Sequence, residues 1–208
     1  MNSSFTIGLV DDDAGMRKAV GRLLRSAGFG VAAYASAAEF LADTRQGSLD
    51  CLLLDLSLPG ESGIELQARL NRRGWRVPII FLTGEGDIPT SVSAIKAGAV
   101  DFLTKPVVDT DLFRAIDEAL KLVRQQQGEA ASLVEERARL DLLSPREREV
   151  LSHVITGKLN KQIAADLGIS EQTVKVHRMR IAEKTGLPSV AEWVRLADRH
   201  GIVPAGAD

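Results

Sequence analysis

The stretch Cys51-Leu52-Leu53-Leu54-Asp55-Leu56-Ser57-Leu58-Pro59-Gly60 decides the fold. Four consecutive apolar residues, closed by a carboxylate and then by a Pro-Gly turn signal, read as a short strand ending in Asp55. Outward on both sides the same unit repeats. Apolar runs at 5–10, 31–34, 79–82 and 100–103 read as four more strands. Helix-favouring segments lie at about 14–27, 37–44, 63–73, 89–97 and 110–123. Five strands alternating with five helices predict a parallel sheet covered on both faces. Right-handed crossovers make that sheet doubly wound. Ser36-Ala37-Ala38-Glu39 has the form of a capping box, and Ala97-Gly98 is a turn signal after a helix.

The alternation ends near residue 122. A mostly helical linker is expected at 123–142, with a weak break at Gly128. Leu133, Val134, Arg137 and Leu140 fall near one face of it, which suits either a solvated spacer or a rigid arm that contacts a second helix. From 143 to 208 no strand pattern remains. Ser144-Pro145-Arg146-Glu147 is a helix start with a capping serine, proline at the first position and glutamate three residues after the cap. Further helices are expected from Asn160 to Leu167, from Ser170 to about Lys184, and from the capping box Ser189-Val190-Ala191-Glu192 to about His200. The expected organisation is an α/β domain over 1–122, the linker, and a four-helix all-α domain over 143–208.

A chain of 208 residues with 45% hydrophobic and 26% charged residues has the balance of a soluble globular protein, and it can bury a core without disulfides. Its one cysteine, Cys51, lies inside an apolar run, which suits a buried thiol and a reducing cytosol. The N-terminus lacks the pattern of a signal peptide, and no run approaches the roughly 18 apolar residues that span a bilayer. The expected location is cytoplasmic, with no membrane contact. The net charge of −2 conceals an asymmetry: residues 1–120 hold 12 Lys and Arg against 16 Asp and Glu, whereas 141–208 hold 10 against 9. The two halves therefore suit different partners.

Strand one ends in Asp11-Asp12-Asp13, strand three in Asp55, strand four in Thr83 and strand five in Lys105-Pro106. Open α/β sheets bind ligands at this carboxyl edge, where strand order reverses. Carboxylates brought within a few ångströms repel unless a cation offsets them, and a hard dication such as Mg²⁺ suits oxygen ligands and a phosphate. An aspartate there can take a phosphoryl group as an acyl phosphate, with Lys105 and the metal neutralising charge and Thr83 bonding a phosphoryl oxygen.

The segments Val10-Asp11-Asp12-Asp13, Leu54-Asp55-Leu56-Ser57-Leu58-Pro59-Gly60, Phe81-Leu82-Thr83-Gly84 and Asp101-Phe102-Leu103-Thr104-Lys105-Pro106 resemble the receiver domains of two-component systems. The resemblance implies a flavodoxin-like sheet of order 2-1-3-4-5 and Asp55 as the phosphoacceptor. It implies Mg²⁺, or Mn²⁺ or another dication, held by Asp11, Asp12, Asp55 and the backbone carbonyl of Ser57. Asp13 is not expected to be a direct ligand. Thr83 and Lys105 contact the phosphoryl group, and Phe102 is the aromatic switch, whose ring turns inward when Thr83 moves. The Lys105–Pro106 bond is expected to be cis. Taken singly, these aspartates suit turns and caps, Lys105 a surface charge and Phe102 the core.

In the second half, 161–167, the turn Gly168-Ile169-Ser170 and 171–184 have the layout of a helix-turn-helix, whose second helix enters the major groove. At 100° per residue Val174 and Ile181 face inward, and Gln172, Lys175, Val176, Met179 and Glu183 face outward. Val176 and Met179 suit a thymine methyl, and Lys175 suits guanine or phosphate. Ser170 and Thr173 at the helix start, Arg178 at the rim, Lys161 and Lys184 suit phosphates. The alternative is an ordinary amphipathic helix in a small bundle. The longer run, from Leu143-Ser144-Pro145-Arg146-Glu147 through Thr173-Val174-Lys175-Val176-His177-Arg178, resembles the LuxR-type DNA-binding domain. Together the halves resemble the FixJ/NarL class of response regulators, and Gly84-Glu85-Gly86-Asp87 leans towards FixJ. That class implies a sensor histidine kinase, promoter DNA, RNA polymerase and a homodimer on phosphorylation as partners, and activation of transcription. It implies no enzyme beyond hydrolysis of its own aspartyl phosphate. Two rivals remain: a phosphatase acting on small molecules, and a protein-interaction module that never touches DNA.

Overall fold

The computed structural model describes residues 5–84 and 98–206. The helix expected at 89–97, residues 85–87 of the loop after Gly84, and Ala97 lie outside the described residues. The chain divides into two compact units, Met1–Gln127 and Gly128–Asp208.

In the first unit, strands β1 (Thr6–Val10), β2 (Gly30–Tyr34), β3 (Cys51–Asp55), β4 (Ile79–Thr83) and β5 (Asp101–Thr104) form one sheet. Its order is β2-β1-β3-β4-β5 with every pairing parallel, as the resemblance implies. Alternate residues of the central strands feed two separate cores. Leu52, Leu54, Ile79 and Phe81 pack with Phe40 of α2 (Ala37–Ala42) and Leu66 and Leu70 of α3 (Gly63–Arg72). Cys51, Leu53, Ile80 and Leu82 pack with Leu24 of α1 (Ala14–Ser26) and Leu112 and Ile116 of α4 (Asp109–Asp141). Burial there pushes the Cys51 thiol up to about 12. Ser36 caps α2 through the Glu39 N–H at 3.1 Å. Glu39 reaches back to the N–H of Ala35 at 2.6 Å, one residue beyond the expected box.

Helix α4 runs from the first unit's core to Asp141 and passes through Gly128 without a break. Glutamines at 125–127 and Glu129, Ala130 and Ala131 favour helix strongly enough to carry one glycine, whose cost against alanine is about 1 kcal/mol. In the second unit, α5 (Pro145–Val154), α6 (Asn160–Leu167), α7 (Glu171–Thr185) and α8 (Val190–Arg199) enclose Val150, Leu151, Ile163, Val174, Ile181 and Trp193. Leu140, near the end of α4, lies in this second core. Ser144 and Glu147 form the expected capping box with proline in the first turn. Gly168 takes φ 64° between α6 and α7, the left-handed conformation that lets the chain turn sharply into α7. No described helix is long and apolar enough to cross a membrane.

Gly63 opens α3 directly beneath the end of β3. A Cβ there would collide with the backbone carbonyl of Asp55 and crowd Cα of Leu56, neither of which can swing away. We expect Gly63→Ala to lower the first unit's stability by about 1–3 kcal/mol, read as a lower urea midpoint.

Candidate functional site

The register of the sheet assembles the pocket. Val10 lies opposite Leu54, Asp55 opposite Leu82, and Thr83 opposite Thr104. Asp11, Asp55, Thr83 and Lys105 therefore arrive together at the carboxyl edge. Asp11 and Asp55 flank the point where strand order reverses between β1 and β3. Asp11, Asp55 and Thr83 are all buried, and Asp12 is exposed.

Lys105 Nζ lies 2.7 Å from Asp55 Oδ2 and 2.7 Å from Asp11 Oδ2. Only its contact with Asp55 is aligned as a hydrogen bond. Asp11 Oδ2 is left buried with a neighbouring charge but no aligned donor among the described residues. Asp11 Oδ1 accepts from the Asp13 N–H at 2.8 Å, and Asp55 Oδ1 from the Ser57 N–H at 3.1 Å. Burial pushes the Lys105 ammonium down, but the two carboxylates outweigh it and hold its pKa above the ordinary lysine value.

Oxygens of Asp11, Asp12 and Asp55 all lie within 4.8 Å of one another. Three carboxylates facing one ammonium leave negative charge in excess, and Asp11 Oδ2 is an oxygen ligand without an aligned donor, so the donor set fits a divalent cation. Asp13 stands apart from this group. Its carboxylate caps α1, and the N–H groups of Met16 and Gly15 hold its pKa below the usual carboxylate range. The Thr83 hydroxyl donates to the Gly84 carbonyl at 3.1 Å. Phe102 stacks on Phe81 with ring centroids 5.1 Å apart, partly buried against the α2 and α3 core. The Lys105–Pro106 bond is cis.

In the second unit, Val174 and Ile181 of α7 are fully buried. Lys175 and Met179 are exposed and Val176 is half-buried. The Ser170 hydroxyl caps α7, accepting the Thr173 N–H at 3.0 Å, and pairs with the Thr173 hydroxyl at 2.8 Å. Lys161 is exposed on α6.

A family model described as the response regulator receiver domain matches residues 7–117. A second, described as bacterial regulatory proteins of the luxR family, matches residues 141–197. The chain belongs to the response regulators. Response regulator protein TmoT of Ectopseudomonas mendocina is 47% identical over 191 residues, 92% of this chain and 87% of that one. Transcriptional regulatory protein FixJ of Rhizobium meliloti (strain 1021) is 41% identical over 206 residues, 98% of this chain and all of that one. Among solved structures, that of response regulator StyR is similar at TM-score 0.79 and 42% identity, over 95% of this chain and 100% of that one. A receiver domain implies a histidine kinase as partner, and a luxR-type domain implies DNA binding, so this response regulator acts in transcription.

Two cations of the response regulator's helix α7 have internal partners where phosphate contacts were expected. Lys184 Nζ binds Glu147 Oε2 at 2.6 Å. Arg178 Nη1 donates to Asn160 Oδ1 at 3.0 Å. Helical angles report which side a residue leaves from, not where a long side chain ends. Arg180, by contrast, lies on the outward side of α7 and is exposed, a position that its helical angle alone marks.

Glu147 is buried. Desolvation alone would raise its pKa, but hydrogen bonds from Lys184 and from the Ser144 N–H bring it down to about 2.

Two outcomes follow for the response regulator. Asp12→Asn removes an exposed carboxylate from the acidic group that fits a divalent cation and should weaken Mn²⁺ binding by about tenfold or more, about 1.4 kcal/mol, in calorimetric titration, with thermal stability unchanged. Glu147 ionises at about 2 in the folded chain against an ordinary 4.5. Its stabilising contribution is complete above the ordinary value and is lost as pH falls towards 2. Glu147→Gln should therefore lower the second unit's melting temperature at pH 7 and flatten its decline between pH 4.5 and 2.

Proposed function

We propose that Asp55 accepts a phosphoryl group from a sensor histidine kinase and that this controls binding of α7 to promoter DNA. The observation that carries the proposal is the Asp55 carboxylate, buried at a strand end and hydrogen-bonded by Lys105 at 2.7 Å beside a second buried aspartate. An Asp55 oxygen attacks the phosphorus of a phosphohistidine. The new P–O bond forms as the P–N bond breaks, and the imidazole regains its proton. Lys105 swings from the carboxylates to a phosphoryl oxygen. Thr83, whose hydroxyl donates to the Gly84 carbonyl, turns to another. Mg²⁺, held by Asp11, Asp12, Asp55 and the Ser57 carbonyl, would supply positive charge to the transferring group, and Mn²⁺ has the same preference for oxygen. Phe102, stacked beside Phe81 on the strand that ends in Lys105, is the residue that reports the change in Thr83.

Lys175, Val176 and Met179 are the proposed base-reading residues, with Ser170, Thr173, Lys161 and Arg180 at phosphates. Exposure of Lys175 and Met179 on the face opposite buried Val174 supports that assignment. The phosphorylated form is a homodimer that spans two half-sites, activates transcription with RNA polymerase in the cytoplasm, and hydrolyses only its own aspartyl phosphate. Similarity to proteins named response regulators and transcriptional regulatory proteins supports the regulatory reading over a small-molecule phosphatase.

Affinity for duplexes selected from random genomic fragments, measured with and without acetyl phosphate and Mg²⁺, tests the coupling. Wild type should gain about tenfold in affinity on phosphorylation, within the usual range of allosteric coupling. Asp55→Asn should incorporate no phosphate and show no gain. A gain retained in Asp55→Asn would remove Asp55 from the mechanism.

A further inference from the structure

Helix α7 carries four cations: Lys175, Arg178, Arg180 and Lys184. Its fully buried side chains are few, namely Val174, Ile181 and Thr185. Such a narrow stripe fixes which face points inward but resists tilting of the helix poorly. Base reading needs the tilt fixed as well, because a bidentate contact fails when a side chain is displaced by about 1 Å.

Arg178 lies four residues after Val174 and three before Ile181, on the buried side of α7. Its guanidinium makes two contacts of different kinds. The Nη1 edge donates to Oδ1 of Asn160, the first residue of α6, at 3.0 Å. The guanidinium carbon stands 5.8 Å from the centroid of the Trp193 ring on α8. Trp193 is itself fixed, since it is buried and its Nε1–H donates to the Leu187 carbonyl at 2.9 Å. One side chain thus ties the recognition helix to the start of the helix before it and to the face of the helix after it. Only a planar cation with separate edge and face can do both at once; a lysine ammonium cannot.

The geometry points to Arg178 as a positioning residue for DNA reading rather than a phosphate ligand. It holds the tilt at which α7 presents Lys175, Val176 and Met179. This inference rests on the DNA-binding reading of α7, and the two make separable predictions. A phosphate ligand contributes charge, so its loss lowers the slope of log K against log salt by about 0.9, and lysine can replace it. A positioning residue contributes angle, so its loss lowers discrimination between sequences and leaves the slope alone, and lysine cannot replace it.

The experiment uses the full chain with acetyl phosphate and Mg²⁺. Affinities are measured across a salt series for a duplex the wild type selects from a random pool and for a scrambled duplex of equal length. Arg178→Met and Arg178→Lys should each lower the selected-to-scrambled ratio about tenfold with the salt slope unchanged. Lys161→Met, the comparison at a proposed phosphate contact, should lower the slope by about 0.9. The inference is overturned if Arg178→Met lowers the slope as Lys161→Met does, or if Arg178→Lys keeps the wild-type ratio. The lysine variant alone decides the question should the methionine variant fail to fold. Wild-type protein with no salt-dependent affinity for either duplex would instead remove the DNA-binding reading on which the inference stands.

Discussion

A strand covered on both faces meets water nowhere along its length, and polar side chains must wait until it ends. Strands β3 and β4 are buried at every residue, from Cys51 to Asp55 and from Ile79 to Thr83. Their last residues are the first positions at which a carboxylate or hydroxyl finds polar company, and parallel register brings those positions to one edge. The chemistry of the first unit is thus a by-product of its packing rule. Two buried carboxylates at that edge would repel one another, and Lys105, delivered from the end of β5 two strands away from β3, supplies the opposing charge at 2.7 Å from each.

The helical unit solves a different problem. Four short helices enclose a small apolar core, and ionic contacts assist it. Glu136 of α4 accepts from Arg199 at 2.8 Å and faces His200 Nε2 at 3.0 Å, and Arg139 donates to the Thr185 carbonyl at 3.4 Å. Such partly exposed pairs contribute roughly 0–1 kcal/mol each. The Glu147–Lys184 pair differs because Glu147 is buried, and removing its lysine would strand a charge. The cations of α7 consequently divide into those that hold the helix and those that remain free to meet a partner.

Much of this was legible in the sequence because it follows from periodicity and from position at strand ends. Asp11, Asp55, Thr83 and Lys105 could be placed together once five apolar runs were recognised, since any parallel sheet gathers its strand ends. The helix-turn-helix was legible from Ser144-Pro145, Gly168 and Ser170, whose backbone roles admit few substitutes. The destinations of long side chains were not. Arg178 and Lys184 leave α7 beside its buried stripe, where a long side chain can turn either to solvent or inward, and only the positions of Asn160, Trp193 and Glu147 show that they turn inward. Gly128 read as a break because glycine is a poor helix former, yet its neighbours on both sides outvote it. Glu39 closes on Ala35 rather than on its own cap residue, a one-residue difference that sequence spacing does not resolve.

Cys51 has a consequence of its own. It is the only cysteine in the chain, it sits on the central strand of the sheet, and burial raises its thiol pKa to about 12. Alkylating reagents attack the thiolate, so the folded chain offers them almost nothing. The thiol becomes reactive only when the sheet itself opens, and the second unit has no cysteine to confuse the signal. The rate of labelling is therefore a clock for cooperative opening of the first unit alone, built into the native sequence and readable without any engineered probe.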